Sequence, residues 1–273
     1  MSVTHKTIKT EHYTFNVRIK PDYVREVLFK YYIDIGDSNK PCLSLIIFTE
    51  EAANMIQDGL EKVAKLSNID ALYDCVIDQT KEDFSKHSFG KELLQWVIGY
   101  IKSEHKQVIY LQLDDESYIP CNRKPIETVD LLTYSIALNK KTWYELNFNA
   151  FIEKKDIYNK YKSEVNTYSL VSTKSSSSWE LFFLKNVTSM YARNKILENE
   201  DLYKRIYEES STFPEFFKKL AETIGRDDKC KFFKGWLQEF ISSYIVISRR
   251  WTIRLKSEGG YNKSRRKTFA RKS

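Results

Sequence analysis

Glycine and proline are scarce in this chain, with 8 and 5 residues among 273. Phe and Tyr are abundant by comparison, with 16 and 18 residues, so the composition excludes collagen-like, low-complexity and disordered classes. No run of about 18 apolar residues occurs, and we therefore expect no membrane-spanning helix. The first residues lack the charged-then-apolar pattern of a secretory signal. The sequence therefore predicts an intracellular protein with a substantial core.

Residue pairs that mark metal and redox sites are also missing. The cysteines are too far apart in the sequence for a Cys-x-x-Cys pair; they are Cys42, Cys75, Cys121 and Cys230. Isolated cysteines in an intracellular chain are mostly buried small hydrophobes, and we expect that role here. The four histidines are not paired at ligand spacing, so we predict no metal site. A Walker loop and a Gly-x-Ser-x-Gly motif are absent as well.

Positive charge is concentrated at the C-terminus. Residues 249–273 contain ten Lys or Arg and one Glu, whereas the other 248 residues contain 34 basic and 36 acidic residues. Such a segment buries little apolar surface, so we predict a flexible basic tail over this range. Clustered basic residues attract phosphate backbones without reading sequence, while an acidic protein partner, nuclear targeting or solubility are alternatives. The candidate nucleic-acid-binding residues of the tail are Lys263, Arg265, Arg266, Lys267, Arg271 and Lys272.

The stretch from Ser88 to Ala150 organises the rest of the chain. Apolar residues at helical spacing from Gly90 to Ile101 predict a helix, and the apolar run over 108–113 predicts a strand. A second helical pattern covers 126–138 and is followed by the aromatic block Thr142-Trp-Tyr-Glu-Leu-Asn-Phe148. This order of elements favours an α/β layer over a helical bundle.

The residues before this stretch predict mostly strands. Alternation of apolar and polar residues indicates a strand over 12–20, and apolar runs indicate strands over 42–48 and 69–77. A proline and an aspartate just before residue 23 indicate the start of a helix over 23–32. Residues 50–65 fit either a helix or an interrupted hairpin, and the sequence leaves both open.

The C-terminal half has a helical character. A charged helix is predicted over 153–164, and a polar, serine-rich spacer at 172–178 precedes helical patterns over 179–197, 198–224 and 229–247. The last pattern carries a stripe of aromatic residues, which we expect to be core. We therefore predict three parts, namely an α/β domain over 1–155, a helical extension over 156–248 and the basic tail.

The order of strands, loop, glycine-opened helix, strand and helix resembles the GNAT-type N-acetyltransferases. In that family a glycine-containing loop and the following helix start hold the pyrophosphate of acetyl-CoA, because unsatisfied N–H groups at a helix start attract anions. The corresponding segment here is Ser85-Lys-His-Ser-Phe-Gly-Lys91, which lacks one glycine and the leading Arg or Gln of the family pattern. The resemblance implies that Ser88, Phe89, Gly90 and Lys91 bind acetyl-CoA, and that the fold is a GNAT-like mixed sheet with flanking helices.

The resemblance also implies catalytic residues. The family's fourth helix often ends in Tyr-x-x-x-Gly-Phe, whose tyrosine protonates the departing thiolate, and Tyr144 occupies a shortened version of that motif. A general base for the amine is expected from Asp78 or Asp74, near the strand before the loop. Either aspartate could equally be a solvated carboxylate at the end of a strand. Tyr144 could equally be an aromatic residue of the core. The acids Asp114–Glu116 fit a cation site or a charged turn.

A second resemblance is to uncharacterised GNAT-like proteins of nucleocytoplasmic large DNA viruses. It lies in Leu113-Asp-Asp-Glu-Ser117, in Trp143–Ala150, in Lys160–Lys162 and in the cysteine–aromatic pattern that starts at Cys230. The Lys-, Asn-, Ile- and Tyr-rich composition fits an AT-rich genome. This resemblance implies a divergent viral acetyltransferase-like protein, active or inactive, in the host cytoplasm or the virion. The alternative is a non-enzymatic virion or nucleoprotein component whose tail binds nucleic acid or an acidic protein.

Overall fold

A computed structural model of the chain describes residues 2–36, 41–57, 59–69, 76–77, 89–120, 128–167, 170, 174, 178–225 and 228–256. Within them a large mixed β-sheet packs against helices, which confirms the predicted α/β class. None of the described helices is long and apolar enough to cross a membrane.

The described strands of the large sheet lie side by side in chain order. They are β1 (Thr4–Lys9), β2 (Thr14–Val24), β3 (Val27–Gly36), β4 (Pro41–Phe48), β5 (Val63–Ile69), β6 (Tyr110–Asp114) and β9 (Arg250–Arg254). All neighbours are antiparallel except β5 and β6, which run parallel. A separate hairpin pairs β7 (Tyr118–Pro120) with β8 (Thr128–Asp130).

The predicted strands over 12–20 and 42–48 are confirmed by β2 and β4, whereas the helix predicted over 23–32 is wrong. A two-residue turn at Arg25 and Glu26 joins β2 to β3, and both residues have positive φ values, of 50° and 69°. Such turns match the twist of antiparallel strands. Residues 50–65 form helix α1 (Glu50–Ile56), a 3₁₀ turn and the start of β5. The strand predicted over 69–77 falls mostly outside the described residues.

One helix makes the crossover between the two parallel strands. Helix α2 (Phe89–Glu104) buries Leu93, Leu94, Val97 and Ile101 against the sheet, and it confirms the helix predicted from Gly90. The predicted strand over 108–113 is confirmed by β6. Because a parallel pair needs such a crossover, the N-terminus of α2 lies at the carboxyl ends of β5 and β6.

The first residues of the predicted flexible tail are not a tail. Residues 250–254 form β9, which pairs with β6 and buries Trp251, Thr252 and Ile253. Alternating apolar residues between the arginines supply the buried surface that holds this strand in the sheet. The prediction of a flexible segment is therefore wrong for β9, and residues 257–273 lie outside the described residues.

The remaining described helices follow β8 and precede β9. They are α3 (Leu131–Asn139), α4 (Trp143–Phe148), α5 (Lys155–Thr167), α6 (Trp179–Asn186), α7 (Met190–Leu197), α8 (Glu200–Glu209), α9 (Phe213–Thr223), α10 (Lys229–Phe233) and α11 (Leu237–Ser242). The patterns over 179–197 and 229–247 each break into two helices, and the break near Phe213 is confirmed. Helices α9 and α11 pack against α3.

Aromatic side chains fill the interior of the helical region. Phe182, Phe213, Phe217 and Phe240 are buried and contact one another with ring centroids 5.3–6.4 Å apart. The predicted core role of the aromatic stripe over 229–247 is confirmed, because most of its rings are buried. One continuous cluster of buried residues joins this region to the sheet. The division into domains at residue 155 stays a prediction.

Cys42 and Cys230 are buried, as the sequence predicts, but they are not free thiols, because both are disulfide-bonded. The other two cysteines, Cys75 and Cys121, lie outside the described residues. Disulfides form and persist mainly in oxidising environments. This observation does not favour a protein that stays in a reducing cytoplasm.

We expect a reducing agent to lower the stability of the folded protein substantially. A native disulfide contributes about 2–4 kcal/mol by restricting the unfolded chain. Urea unfolding should therefore show a lower midpoint in dithiothreitol than in its absence, with no comparable shift for a variant in which all four cysteines are replaced by Ser. An unchanged wild-type midpoint, with full reduction verified by thiol titration, would contradict this expectation.

Candidate functional site

The chain leaves β6 through Asp115, whose side chain is fully buried. Its Oδ1 accepts hydrogen bonds from the backbone N–H of Ser117, at 3.1 Å, and from the Ser117 hydroxyl. This is an Asx turn, in which an aspartate binds the backbone two residues on. The other oxygen, Oδ2, is buried and has no hydrogen-bond partner among the described residues. Burial raises the pKa of Asp115 to about 6, although the hydrogen bonds from Ser117 lower it.

Arg249 ties the Asp115 turn to the start of α3. Its Nη1 donates to the carbonyl oxygen of Asp115 at 2.8 Å, and its Nη2 donates to Asp130 Oδ2 at 2.6 Å. The other oxygen of Asp130 caps α3 by accepting from the backbone N–H of Thr133 at 2.9 Å. The guanidinium therefore pairs with Asp130 and with the backbone, while the Asp115 carboxylate stays outside this ion pair.

Tyr144, the predicted general acid, lies beside this turn. It belongs to α4 and is 3% exposed. Its hydroxyl lies near the Ser117 hydroxyl and the Asp115 carboxylate, and both groups affect its pKa. Burial and the nearby Asp115 carboxylate raise the pKa of Tyr144, so its hydroxyl stays protonated at neutral pH.

A buried network holds α4 and therefore Tyr144 in place. Thr142 and Glu145 form a capping box, with hydrogen bonds of 3.2 Å and 3.0 Å between the side chain of each residue and the backbone N–H of the other. The Tyr161 hydroxyl donates to Glu145 at 2.5 Å. The Tyr161 ring packs edge-on against Trp251 of β9, with centroids 5.5 Å apart. Both α5 and the sheet therefore position α4.

A cavity of about 450 Å³ opens beside the turn, between the β7–β8 hairpin and the helical region. Ser117 is one of the residues that line it, whereas Asp115 and Tyr144 are buried behind the lining. Its walls also include Glu116, Asp130, Thr133, Phe233 and Lys234. The cavity therefore brings a bound molecule next to the residue that donates a hydrogen bond to Asp115.

The predicted acetyl-CoA residues lie at the start of α2. The Phe89 side chain is buried in the core, where its ring packs edge-on against Tyr13 and Phe15 at 5.3 Å and 5.6 Å, so only its backbone could serve a ligand. Gly90 follows it next to the carboxyl end of β5. A Cβ at Gly90 would lie 3.9 Å from Ile69 Cγ2, an ordinary contact. The protein's own packing therefore does not require glycine at this position.

The first turn of α2 also carries charged side chains. Lys91 is half-buried. Glu92 is directed to the β1–β2 connection, where it accepts hydrogen bonds from the Thr10 hydroxyl at 2.9 Å and from His12 Nδ1 at 2.5 Å. Burial raises the pKa of Glu92, but the hydrogen bonds from His12 and Thr10 outweigh it and hold the pKa below its usual value. This carboxylate fastens the helix start to the sheet edge.

The other predicted site residues lie outside the described residues. They are Ser88, Asp78 and Asp74 near the loop, and the basic residues of the tail over 263–272. Their roles stay predictions. Within the described parts of the chain, no group of three or more His, Cys, Asp or Glu side chains is arranged to hold a metal ion.

Known proteins give no further guide to this site. No protein family, curated protein or solved structure matches the chain. The site is therefore interpreted from its own chemistry. Tyr144, predicted from the family motif, lies beside the Asp115 turn and its role stays a prediction, whereas the burial of Asp115 and the ordered position of Arg249 were not predicted. The spacing Asp-x-Ser after a strand, a common Asx-turn pattern, is the signal that could have identified Asp115 and Ser117.

Proposed function

We propose that this chain is a GNAT-like acyltransferase that transfers an acetyl group from acetyl-CoA to an amine. The observation that carries the proposal is the cluster of Tyr144, Ser117 and Asp115 at the carboxyl end of β6, in which Asp115 accepts a hydrogen bond from the Ser117 hydroxyl and lies near the Tyr144 hydroxyl. Open α/β sheets bind ligands at the carboxyl ends of their strands. A buried acid with a pKa of about 6 beside a protonated tyrosine is the pairing that proton transfer at neutral pH needs.

The start of α2 fits the pyrophosphate of acetyl-CoA. The first-turn N–H groups and the helix dipole favour an anion. Because Gly90 has no Cβ, it leaves open space at the helix start, which a Cβ would fill without clashing inside the protein. Lys91 adds a positive charge next to it. The carboxylate of Glu92 is engaged by His12 and Thr10.

We assign each residue of this cluster a step in the transfer. When bound, acetyl-CoA supplies a thioester whose C–S bond breaks as the amine nitrogen forms the new C–N bond. The Ser117 hydroxyl takes the proton that the amine loses and passes its own proton to Asp115 Oδ1. Tyr144, which its raised pKa keeps protonated, donates the proton that the leaving thiolate takes up.

The cofactor part of the proposal is tested by two glycine substitutions in the same helix. Gly90→Ala should weaken acetyl-CoA binding at least tenfold, because the new methyl group fills the space next to the helix start. Gly99→Ala is the matched control, since a Cβ there meets nothing within 4 Å. Alanine is favoured over glycine in helices by about 1 kcal/mol, so neither variant should lose stability. Equal affinity of both variants in calorimetry would remove α2 from the proposed site.

The viral origin and the alternative of a nucleoprotein component stay predictions. The tail residues on which that alternative was based, over 263–272, lie outside the described residues.

A further inference from the structure

The large sheet has a second face, directed away from Leu93 and Leu94 of α2. Strand register places five side chains in one row across this face, and each pairs with the next: Lys20, Tyr32, Ile46, Lys65 and Gln112. All five are half-buried or exposed. We call this surface the open sheet face.

Aromatic rings and cations alternate on the open sheet face. Lys30 Nζ lies 4.7 Å from the centroid of the Tyr32 ring, and Lys65 Nζ lies 5.8 Å from that of Phe48. The Arg254 guanidinium lies 5.6 Å from the Tyr110 ring. These pairs extend over β3, β4, β5, β6 and β9, which span about 19 Å at ordinary strand spacing.

The Tyr32 and Phe48 rings are partly exposed, so a ligand can contact them, whereas it cannot contact the buried rings of the core. Both are half-buried and lie outside the main buried cluster of the described residues, although the Phe48 ring packs edge-on against Phe29, with centroids 6.3 Å apart. A ring on an open sheet face with a cation beside it offers a flat surface for stacking and a charge for an anion.

Positive charge predominates on the open sheet face. Asp34 is paired with Arg18 at 2.6 Å, and Asp22 with Lys30 at 3.6 Å. Glu153 lies at the β6 end of the face and accepts a hydrogen bond from Gln112. Three further cations have no carboxylate partner among the described residues; they are Lys20, Lys65 and Arg254.

We propose that the open sheet face binds single-stranded nucleic acid. Proteins that bind single strands combine a positively charged track for the phosphates with aromatic rings on which bases stack. Lys20, Lys65 and Arg254 supply the charge, and Tyr32 and Phe48 supply the rings. This surface is separate from the proposed acetyl-CoA site and from the candidate tail residues over 263–272.

The charge of the face is tested by fluorescence anisotropy with a labelled ten-residue oligothymidylate. The full-length chain is used with the four basic residues of 263–267 replaced by Gln, so that the tail does not dominate binding. The double substitution Lys65→Glu and Arg254→Glu should weaken binding at least tenfold at 150 mM salt. Lys102→Glu with Lys218→Glu makes the same change in net charge on exposed helix positions, and it should weaken binding less than threefold. Equal losses would overturn the proposal.

The stacking part is tested at Tyr32 with the same probe. Tyr32→Leu should weaken binding about fivefold or more, since stacking contributes about 1–3 kcal/mol per base. Tyr32→Phe keeps the ring and should bind within twofold of the parent protein. Equal binding of the two variants, or equal affinity for a duplex of the same length, would overturn base stacking on this face. If the charge-reversed protein does not fold, the Tyr32 variants still test whether this face binds single-stranded nucleic acid.

Discussion

At pH 8, the Asp115→Asn variant should be more stable than the wild-type protein by about 2 kcal/mol, because burying a charged carboxylate is costly. The folded-state pKa of Asp115 is about 6, raised from 3.8 by burial. The folded protein therefore holds this proton more tightly than the unfolded chain does. The stability that Asp115 contributes is fully present below pH 3.8 and is lost as the pH rises through 6.

The measurement is urea unfolding of both proteins between pH 4 and pH 8. The stability gain of Asp115→Asn should be near zero at pH 4 and should grow up to pH 8. Asp114→Asn is the matched control, because Asp114 is exposed and its ion pair with Arg250 at 3.1 Å is also exposed. A loss of stability that is equal at every pH would mean that Asp115 serves only to hold the turn.

A stability gain at this position would identify Asp115 as a residue retained for function. Proteins keep a destabilising buried charge mainly where chemistry or binding needs it. The same variant should therefore lose transferase activity. It should also lose the rise in activity that the wild-type protein shows as the pH increases through about 6.

Tyr144→Phe should lower acetyl transfer at least 100-fold, the scale on which a positioned general acid contributes to rate. The substitution removes one hydroxyl from a ring that is 3% exposed, so the packing of α4 is preserved. Removal of this buried hydroxyl should change stability by no more than about 1 kcal/mol. Steady-state kinetics with acetyl-CoA and an amine should show the loss in kcat, with KM for acetyl-CoA nearly unchanged.

Tyr134→Phe is the matched control for Tyr144→Phe. Tyr134 lies on the neighbouring helix α3 and packs edge-on against Phe233 at 5.6 Å. Its hydroxyl has no place in the proposed proton transfer, so this variant should keep its activity. Full activity of Tyr144→Phe would refute the role of Tyr144 as the acid. Equal losses in both variants would indicate damage to the helical layer instead.

The central elements of the fold could be predicted because their apolar residues recur with a clear helical or strand spacing. Helix α2 has four buried residues at helical spacing, and β6 is a short apolar run. The hairpin at Arg25–Glu26 could not be predicted, because neither residue is the Gly, Asn or Asp that such turns usually use. Strand β9 was missed because its arginines suggested a tail, although Trp251 and Ile253 alternate with Thr252 between them.

The candidate site was less predictable than the fold. Tyr144 was found through a family motif, and its position beside Asp115 agrees with a role in the site. The three consecutive acids at 114–116 look alike in sequence, yet only Asp115 is buried. That difference depends on β9 and α4, which are distant in the chain and pack over the turn. Arg249 lies more than 100 residues from Asp130, so no local pattern reveals their ion pair.

Calorimetry of the full-length protein with acetyl-CoA at pH 8 decides whether the chain binds the proposed cofactor. We expect one site per chain with a micromolar Kd, weakened by Gly90→Ala and unaffected by Gly99→Ala. The absence of binding at millimolar acetyl-CoA, in protein whose folding is verified by circular dichroism, would contradict the proposal.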